Sequence, residues 1–228
     1  ATIVNKNLSF GKGYVEIPKS LDCGSYGWQD FVEYISAKTI EELSGYYKSL
    51  GGLTAFFASL GALDLHYENI SIVGNKAVPL DLETSMGTLQ TTQQAYQGEG
   101  ISGVVNRVIA CAGVNTLILP PLARGKRFDV DLSPITDGNS QKSKLMYSLT
   151  YEIGAEGAAS MQESNITKKA LYSGNLTLEE THPRKQMSNF LQGYKDVRDA
   201  ILNCKQDLIS LLEDFPNISN RCIIYSCL

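Results

Sequence analysis

Asp64, Asn69 and Asp81 are the residues in this chain whose types and spacing could do chemistry. The Asn follows Asp64 by five positions, and the second Asp lies twelve beyond it. That order serves phosphoryl transfer from Mg-ATP, in which one Asp orients the attacking hydroxyl and accepts its proton. An Asn and a second Asp then hold the metal. Mg²⁺ is a hard cation that takes oxygen ligands, and Asn69 offers a neutral oxygen where Asp81 offers an anionic one. For these roles to be filled, positions 69 and 81 must be brought together by the chain between them.

The intervening residues supply the means. Ile70, Ile72 and Val73 precede Gly74-Asn75, and Ala77, Val78, Pro79 and Leu80 follow. Two short apolar runs around a Gly-Asn pair predict a β-hairpin, with Asn69 at its start and Asp81 at its end. Upstream, Thr39 is a good N-cap, with Glu41 and Glu42 in the first turn and Glu42 in capping-box position. From Ile40 the apolar residues Leu43, Tyr46, Tyr47, Leu50, Leu53, Phe56, Phe57 and Leu60 keep the three-and-four spacing of an amphipathic helix, and Gly61 ends it. A long helix thus leads directly into the Asp64 segment.

Composition sets the outer limits. The chain has 228 residues, 43% hydrophobic and 19% charged, which is an ordinary globular composition able to bury a sizeable core. A net charge of −4 and an isoelectric point near 5.3 argue against a nucleic-acid-binding surface. No apolar run has the length of a membrane span, and residues 50–63 are broken by Gly51, Gly52 and Gly61. No secretory signal is visible at the start. The chain opens on Ala1 and is expected to be an excerpt of a larger enzyme. Its five cysteines (Cys23, Cys111, Cys204, Cys222, Cys227) form no C-x-x-C pair, so reduced thiols in a cytoplasmic protein are the expectation. With His66 and His182 as its only histidines, a zinc site is not expected.

The remaining elements are less sharply written. Thr2-Ile3-Val4 and Tyr14-Val15-Glu16-Ile17 are expected to be short strands around a Gly11-Lys12-Gly13 turn. Trp28, Phe31 and Val32 form a short apolar element ending near Tyr34. Residues 85–100 read as a polar loop or a frayed helix start, 104–114 as buried, and 115–121 as an extended run closed by a proline pair. Residues 123–144 read as an exposed loop, and 154–183 carry no clear period. Residues 190–215 read as a second long helix, with Phe190, Leu191, Tyr194, Val197, Ile201, Cys204, Leu208, Leu211 and Leu212 near one face and Pro216 stopping it.

A plain protein-kinase template wants Asp-Phe-Gly at the metal-binding Asp, and this chain has Asp81-Leu82-Glu83-Thr84. Several runs instead resemble the dehydratase domain of the class II lanthipeptide synthetases, the LanM family. They are Tyr26-Gly27-Trp28-Gln29-Asp30-Phe31-Val32-Glu33, Tyr46-Tyr47-Lys48-Ser49-Leu50-Gly51, Asp64-Leu65-His66-Tyr67-Glu68-Asn69 and Asp81-Leu82-Glu83-Thr84. Asn115-Thr116-Leu117-Ile118-Leu119-Pro120 resembles that family's activation-loop stretch. Gln192-Gly193-Tyr194 and Asn220-Arg221 resemble its later helix and closing Arg motif.

The resemblance implies an α+β, lipid-kinase-like fold: residues 1–35 as the end of an N-lobe and a hinge, 36–228 as the C-lobe with its activation region, and the N-lobe itself largely outside the chain. It implies phosphorylation of Ser and Thr in a ribosomally made precursor peptide carrying a leader. Phosphate elimination to dehydroalanine and dehydrobutyrine follows, with a cyclase domain or separate cyclase acting afterwards. Under it, Asp64 is the catalytic Asp, and His66 supports the phosphate or the loop. Asn69 and Asp81 bind Mg²⁺ and ATP, and Glu83 stands second to the metal Asp. Thr116 and Arg221 serve elimination, where a planar guanidinium suits the leaving phosphate. Tyr225 and Cys227 stand where the family's closing motif has Arg and Thr. That departure keeps a second reading open, a kinase-like phosphotransferase acting on a small molecule, lipid or protein without elimination. A third reading is a binding module with a decayed nucleotide site.

Each residue also has a plain structural reading. Asp64, Asn69 and Asp81 could cap turns, His66 could be a core histidine, and Glu83 could be solvated. Thr116 could be a strand residue and Arg221 a helix-end cation. Trp28 and the Tyr46-Tyr47 pair are expected in the core, and Lys48 in solvent.

Overall fold

The computed structural model describes residues 1–8, 15–85, 100–101, 104, 113–120, 131–135, 141–143, 147–150, 158–161, 164–173 and 175–213. Its elements run α1 (Thr2–Lys6), β1 (Ser20–Asp22), β2 (Gly27–Gln29), α2 (Ile40–Ser59), β3 (Ile70–Val73) and β4 (Lys76–Pro79), then a 3-10 turn (Gly113–Thr116). They continue with β5 (Gln141–Ser143), β6 (Tyr147–Thr150), β7 (Ala158–Met161), β8 (Ser164–Ile166), α3 (Leu178–Thr181), α4 (Pro183–Asn203) and α5 (Lys205–Glu213). The strands pair as four antiparallel two-stranded ribbons: β1 with β2, β3 with β4, β5 with β8, and β6 with β7. The architecture is α+β.

The helix expected after Thr39 forms as written. The Thr39 hydroxyl accepts from the Glu42 amide at 3.3 Å. The returning Glu42 carboxylate accepts one residue earlier than a strict capping box, from the Lys38 amide at 2.7 Å. Leu43, Tyr46, Tyr47, Leu50, Leu53, Phe56 and Phe57 are all buried, as the spacing requires. Gly61, with φ +64°, adopts the left-handed conformation that ends the helix. Each fully buried large side chain on this face contributes about 1.5–3 kcal/mol.

α4 crosses α2 at glycines on both helices. A Cβ at Gly51 would lie 1.9 Å from the Phe190 carbonyl oxygen, and one at Gly193 would lie 1.8 Å from that of Lys48. The backbones therefore meet without side chains between them. Beside this crossing, Lys48 Nζ reaches Asp196 Oδ2 at 3.6 Å, so Lys48 is half-buried and paired rather than merely solvated.

The predicted hairpin is present, with the register Ile70↔Pro79, Ser71↔Val78, Ile72↔Ala77 and Val73↔Lys76 and Gly74-Asn75 at its turn. Both of its edges are held. Ser49 on α2 accepts from the Ala77 amide at 3.1 Å. On the other side, Ile35 bridges Val73 in parallel, its amide donating to Ile72 O at 2.9 Å. Ala37 continues that segment and exchanges bonds with Leu171 and Ser173.

Five expectations are corrected. Thr2-Ile3-Val4 is helical, in α1, because burying Val4 while Asn5 Nδ2 donates to Val15 O at 2.8 Å outweighs the β-branched preference. Trp28 is not a core residue: it is 68% exposed, on a ribbon whose six residues are all exposed, and Phe31 beyond the ribbon is 92% exposed. Residues 113–119 form a 3-10 turn and bends rather than an extended run, because the Thr116 hydroxyl donates to Gly113 O at 2.6 Å. The second long helix begins at Pro183, seven residues earlier than expected, and is interrupted at Cys204 between α4 and α5. Val104, expected buried, is half-exposed. The Gly11-Lys12-Gly13 turn, Pro216, Asn220 and Arg221 lie outside the described residues.

Candidate active site

The segment after Gly61 carries Asp64 with φ +61°, a left-handed conformation that Asp tolerates better than most residues. It is held from several sides. The Leu65 amide donates to Thr116 O at 2.8 Å, and the Tyr67 amide to Leu132 O at 2.9 Å. The buried Thr84 hydroxyl donates to Leu63 O. Thr84, just past the second Asp, thus ties the end of the hairpin segment to the residue before Asp64.

Asn69 is the hub. Its side-chain Nδ2 donates to the Asp64 carbonyl at 2.8 Å, its amide to His66 O at 2.9 Å, and its own carbonyl accepts from Leu80 at 2.8 Å. The first bond spans the five-residue loop, and the last extends the hairpin ladder by one pair and sets Asp81 next in line. The Asp-x-x-x-x-Asn spacing and the hairpin therefore operate as one unit. With Nδ2 committed to the loop, the Asn69 Oδ1 oxygen is turned away from that bond. Asp81 accepts at Oδ1 from the Glu83 amide at 3.0 Å. Asp81 and Glu83 are both exposed.

His66 stands between two carboxylates. Its Nε2 lies 3.7 Å from Asp64 Oδ1 and its Nδ1 lies 3.9 Å from Glu68 Oε2, while the Glu68 amide donates to Nδ1 at 3.3 Å. A ring so placed can orient Asp64. Thr116 is buried, and its hydroxyl is engaged twice, donating to Gly113 O and accepting from the Ile118 amide at 3.2 Å. Its contact with the loop is through the backbone, under Leu65. Asp64, His66, Asn69, Asp81, Glu83 and Thr116 are thus drawn into one neighbourhood, while Arg221 lies outside the described residues.

Oxygens at Asn69 and Asp81 suit Mg²⁺ bound together with substrate phosphates, for which one or two protein ligands suffice. Among the described residues no group of three or more His, Cys, Asp or Glu is arranged to hold an ion. The protein's share of such a shell would be these two side chains.

A cavity of about 230 Å³ adjoins the loop, bounded by Tyr34, Tyr67, Glu68, Ser71, Leu80 and Lys168 among others. Burial pushes the Tyr34 phenol up to about 12, and burial, then Glu68, pushes Tyr67 up. Sequence reasoning did not single out Tyr67, Thr84, Leu132 or Lys168. Thr84 stands inside the quoted Asp81-Leu82-Glu83-Thr84 run and was open to notice. Lys168 lies in the stretch without period and carries no local signal.

Comparison with known proteins agrees with the resemblance drawn from residues 26–84. A family model described as a domain of unknown function, DUF4135, matches residues 4–227. A curated relative, the lacticin 481/lactococcin biosynthesis protein LcnDR2 of Lactococcus lactis subsp. lactis, is 24% identical over 195 residues. That alignment covers 85% of this chain and 21% of the relative, so the chain spans about a fifth of the relative's length.

Proposed function

The chain belongs to the DUF4135 family, and from that premise we propose that it is the catalytic part of a lanthipeptide dehydratase of the class II synthetase type. The observation that carries the reading is Asn69, whose side chain holds the Asp64 backbone while its carbonyl pairs with Leu80, the residue before Asp81. One hub thereby gathers an acid-base Asp and a pair of hard oxygen donors. The fold under this reading is kinase-like, with residues 1–35 closing an N-lobe and hinge and 36–228 forming the C-lobe. A kinase is a known setting for this grouping.

ATP is the phosphoryl donor, and Mg²⁺, held through Asn69 and Asp81, would neutralise charge on its phosphates. Asp64 orients a Ser or Thr hydroxyl of the precursor peptide and takes its proton as the oxygen attacks the γ-phosphorus. The new O–P bond forms as the bond to ADP breaks. His66 holds Asp64, and Glu83 fixes Asp81 through its amide. In the second step a base removes the peptide α-proton, the Cβ–O bond breaks and phosphate departs, leaving dehydroalanine or dehydrobutyrine. Arg221 is assigned to the leaving phosphate, and Thr116 serves by fixing the loop that carries Asp64. A cyclase domain or separate cyclase would act on the product. No helix among the described residues is long and apolar enough to cross a membrane, and cytoplasmic action on a leader-bearing peptide accords with the reading.

A second reading is favoured by Tyr225 and Cys227, which replace the Arg and Thr of the family's closing motif. It stops at phosphorylation. The test incubates the full-length protein with ATP, Mg²⁺ and the Ser/Thr-rich precursor peptide encoded beside it, and weighs the peptide. Loss of water with a transient phosphopeptide supports dehydration, and a stable phosphopeptide supports the second reading. Asp64→Asn should lower phosphoryl transfer by about 10²–10⁴-fold. Near-normal transfer by that variant would refute the assignment of Asp64.

A further inference from the structure

Lys168 is the one buried charged residue among those described, with a side chain 2% exposed. Taking an ammonium out of water costs several kcal/mol, and a well-packed apolar side chain of the same volume is often as stabilising or more so. Stability alone is a poor account of a buried lysine here. What it touches suggests another.

Its Nζ donates to the Ser133 carbonyl at 2.6 Å, approaches Asp131 Oδ2 at 3.7 Å, and lies 5.7 Å from the centre of the Tyr67 ring. Asp131 in turn accepts from the Ser133 amide at 2.8 Å. The other carbonyls of this short strap are held one after another. Leu132 O takes the Tyr67 amide at 2.9 Å, Pro134 O the Tyr46 hydroxyl at 2.9 Å, and Ile135 O the Tyr47 hydroxyl at 2.6 Å. The strap is thus pinned to α2 at one end and to the Asp64 loop at the other, and Lys168 is the charge at the loop end. The lysine's own segment is anchored independently. Ala37 exchanges bonds with Leu171 and Ser173, and the Tyr34 hydroxyl donates to Ala170 O. Lys168 therefore joins three parts of the fold at Tyr67, one residue from His66 and three from Asp64.

We propose that Lys168 is a positioning residue for the catalytic loop, fixing, through the strap 131–135 and the face of Tyr67, the backbone from which Asp64 and His66 project. This rests on the phosphotransfer reading above. With the charge removed, the Ser133 carbonyl and the Asp131 carboxylate lose their cation, the strap loosens from the Tyr67 amide, and the loop samples misaligned geometries. Small misplacements of a catalytic group cost rate more than binding. Nucleotide binding in this reading depends on Asn69, which the Leu80 amide ties to the hairpin ladder, and on Asp81, and should change little. Lys168→Arg keeps the charge, and the adjoining cavity of about 230 Å³ offers room for the larger head.

The test uses the full-length protein with Lys168→Met, which keeps the stem and removes the charge, and Lys168→Arg. Phosphoryl transfer to the precursor peptide and amide hydrogen exchange are both measured. In Lys168→Met, kcat should fall about tenfold or more with KM for ATP within about twofold. Exchange in the peptide covering residues 64–70 should rise while that of α2 and α4 stays as in wild type. Lys168→Arg should recover most of both. Lys168→Met with wild-type kcat and wild-type exchange at 64–70 would overturn the proposal. Exchange rising equally across α2 and α4 would also overturn it, since that marks a merely structural lysine. A wild type that transfers no phosphate would sink the functional reading instead, and the exchange comparison would still decide this one.

Discussion

Gly193→Ala should force α4 off α2. A Cβ there falls 1.8 Å from the Lys48 carbonyl oxygen, 2.7 Å from its carbon and 3.1 Å from its Cα. Carbon and oxygen tolerate an approach of about 3.2 Å, so the backbones must part by about 1.4 Å. A gap of that size forfeits roughly half or more of the dispersion energy between the atoms it separates. No rotamer change relieves the collision, because the obstructing atoms are backbone. The cost should therefore lie near the top of the ~1–3 kcal/mol range for overpacking. Against it stands the better helix propensity of Ala, worth about 1 kcal/mol in a helix interior. The net expectation is a loss of about 2 kcal/mol.

With a urea m-value of about 2 kcal/mol/M, the unfolding midpoint should fall by about 1 M. Gly51→Ala, whose Cβ would meet Phe190 O at 1.9 Å and Tyr194 N at 3.0 Å, should cost a similar amount. Because one separation of the helices relieves both collisions, the double variant should lose less than the sum of the two. A Gly193→Ala midpoint equal to wild type or higher would refute the close crossing, since propensity alone predicts a rise of about 0.5 M.

Other outcomes follow from single contacts. Thr39→Ala removes the acceptor for the Glu42 amide and should cost about 1 kcal/mol in a urea titration, with Thr39→Ser close to wild type. Burial raises the Tyr34 phenol to about 12. Its contribution to stability is therefore complete below the ordinary phenol value and lost as pH climbs through about 10 to 12. Difference absorbance should show Tyr34→Phe missing one late-titrating phenol. The Thr177 hydroxyl and amide hold the Glu180 carboxyl below its ordinary value, a helix-capping contribution present at neutral pH and lost on acidification. An NMR titration of Thr177→Ala should move Glu180 up towards the usual carboxylate range, with the share owed to the retained amide remaining.

The parts of the fold legible in the sequence were those fixed by local physics. Thr39, Glu42 and the spacing from Leu43 to Phe57 specify α2 within one contiguous stretch, and Gly74-Asn75 between apolar runs specifies the hairpin. The misreadings fell where a particular partner, rather than a repeating pattern, decides. Val4 is β-branched, yet Asn5 pins Val15 across ten positions and the segment turns helical. Trp28 is the chain's only tryptophan, and size alone suggested burial. Its strand packs against a single partner strand and leaves the ring outside. Thr116 looked extended because its neighbours are apolar, but a hydroxyl reaching back three residues closed a 3-10 turn.

The site divides along the same line. Asp64, Asn69 and Asp81 were readable because the Asn69 bond to Asp64 and the hairpin ladder are short-range, and spacing encodes short-range geometry. The groups that hold the loop in place are not short-range. Leu132 meets Tyr67 across 65 positions, Lys168 meets Ser133 across 35, and Tyr46 meets Pro134 across 88. Leu132, Ser133 and Lys168 belong to no pattern with a period, and a lysine read alone is presumed solvated. A charge kept inside at a cost in desolvation is visible only once its surroundings are known. In this chain it lies against the loop whose geometry the proposed chemistry would depend on most. The residues that would react were therefore written locally, and those that would keep them aligned were written through the tertiary fold.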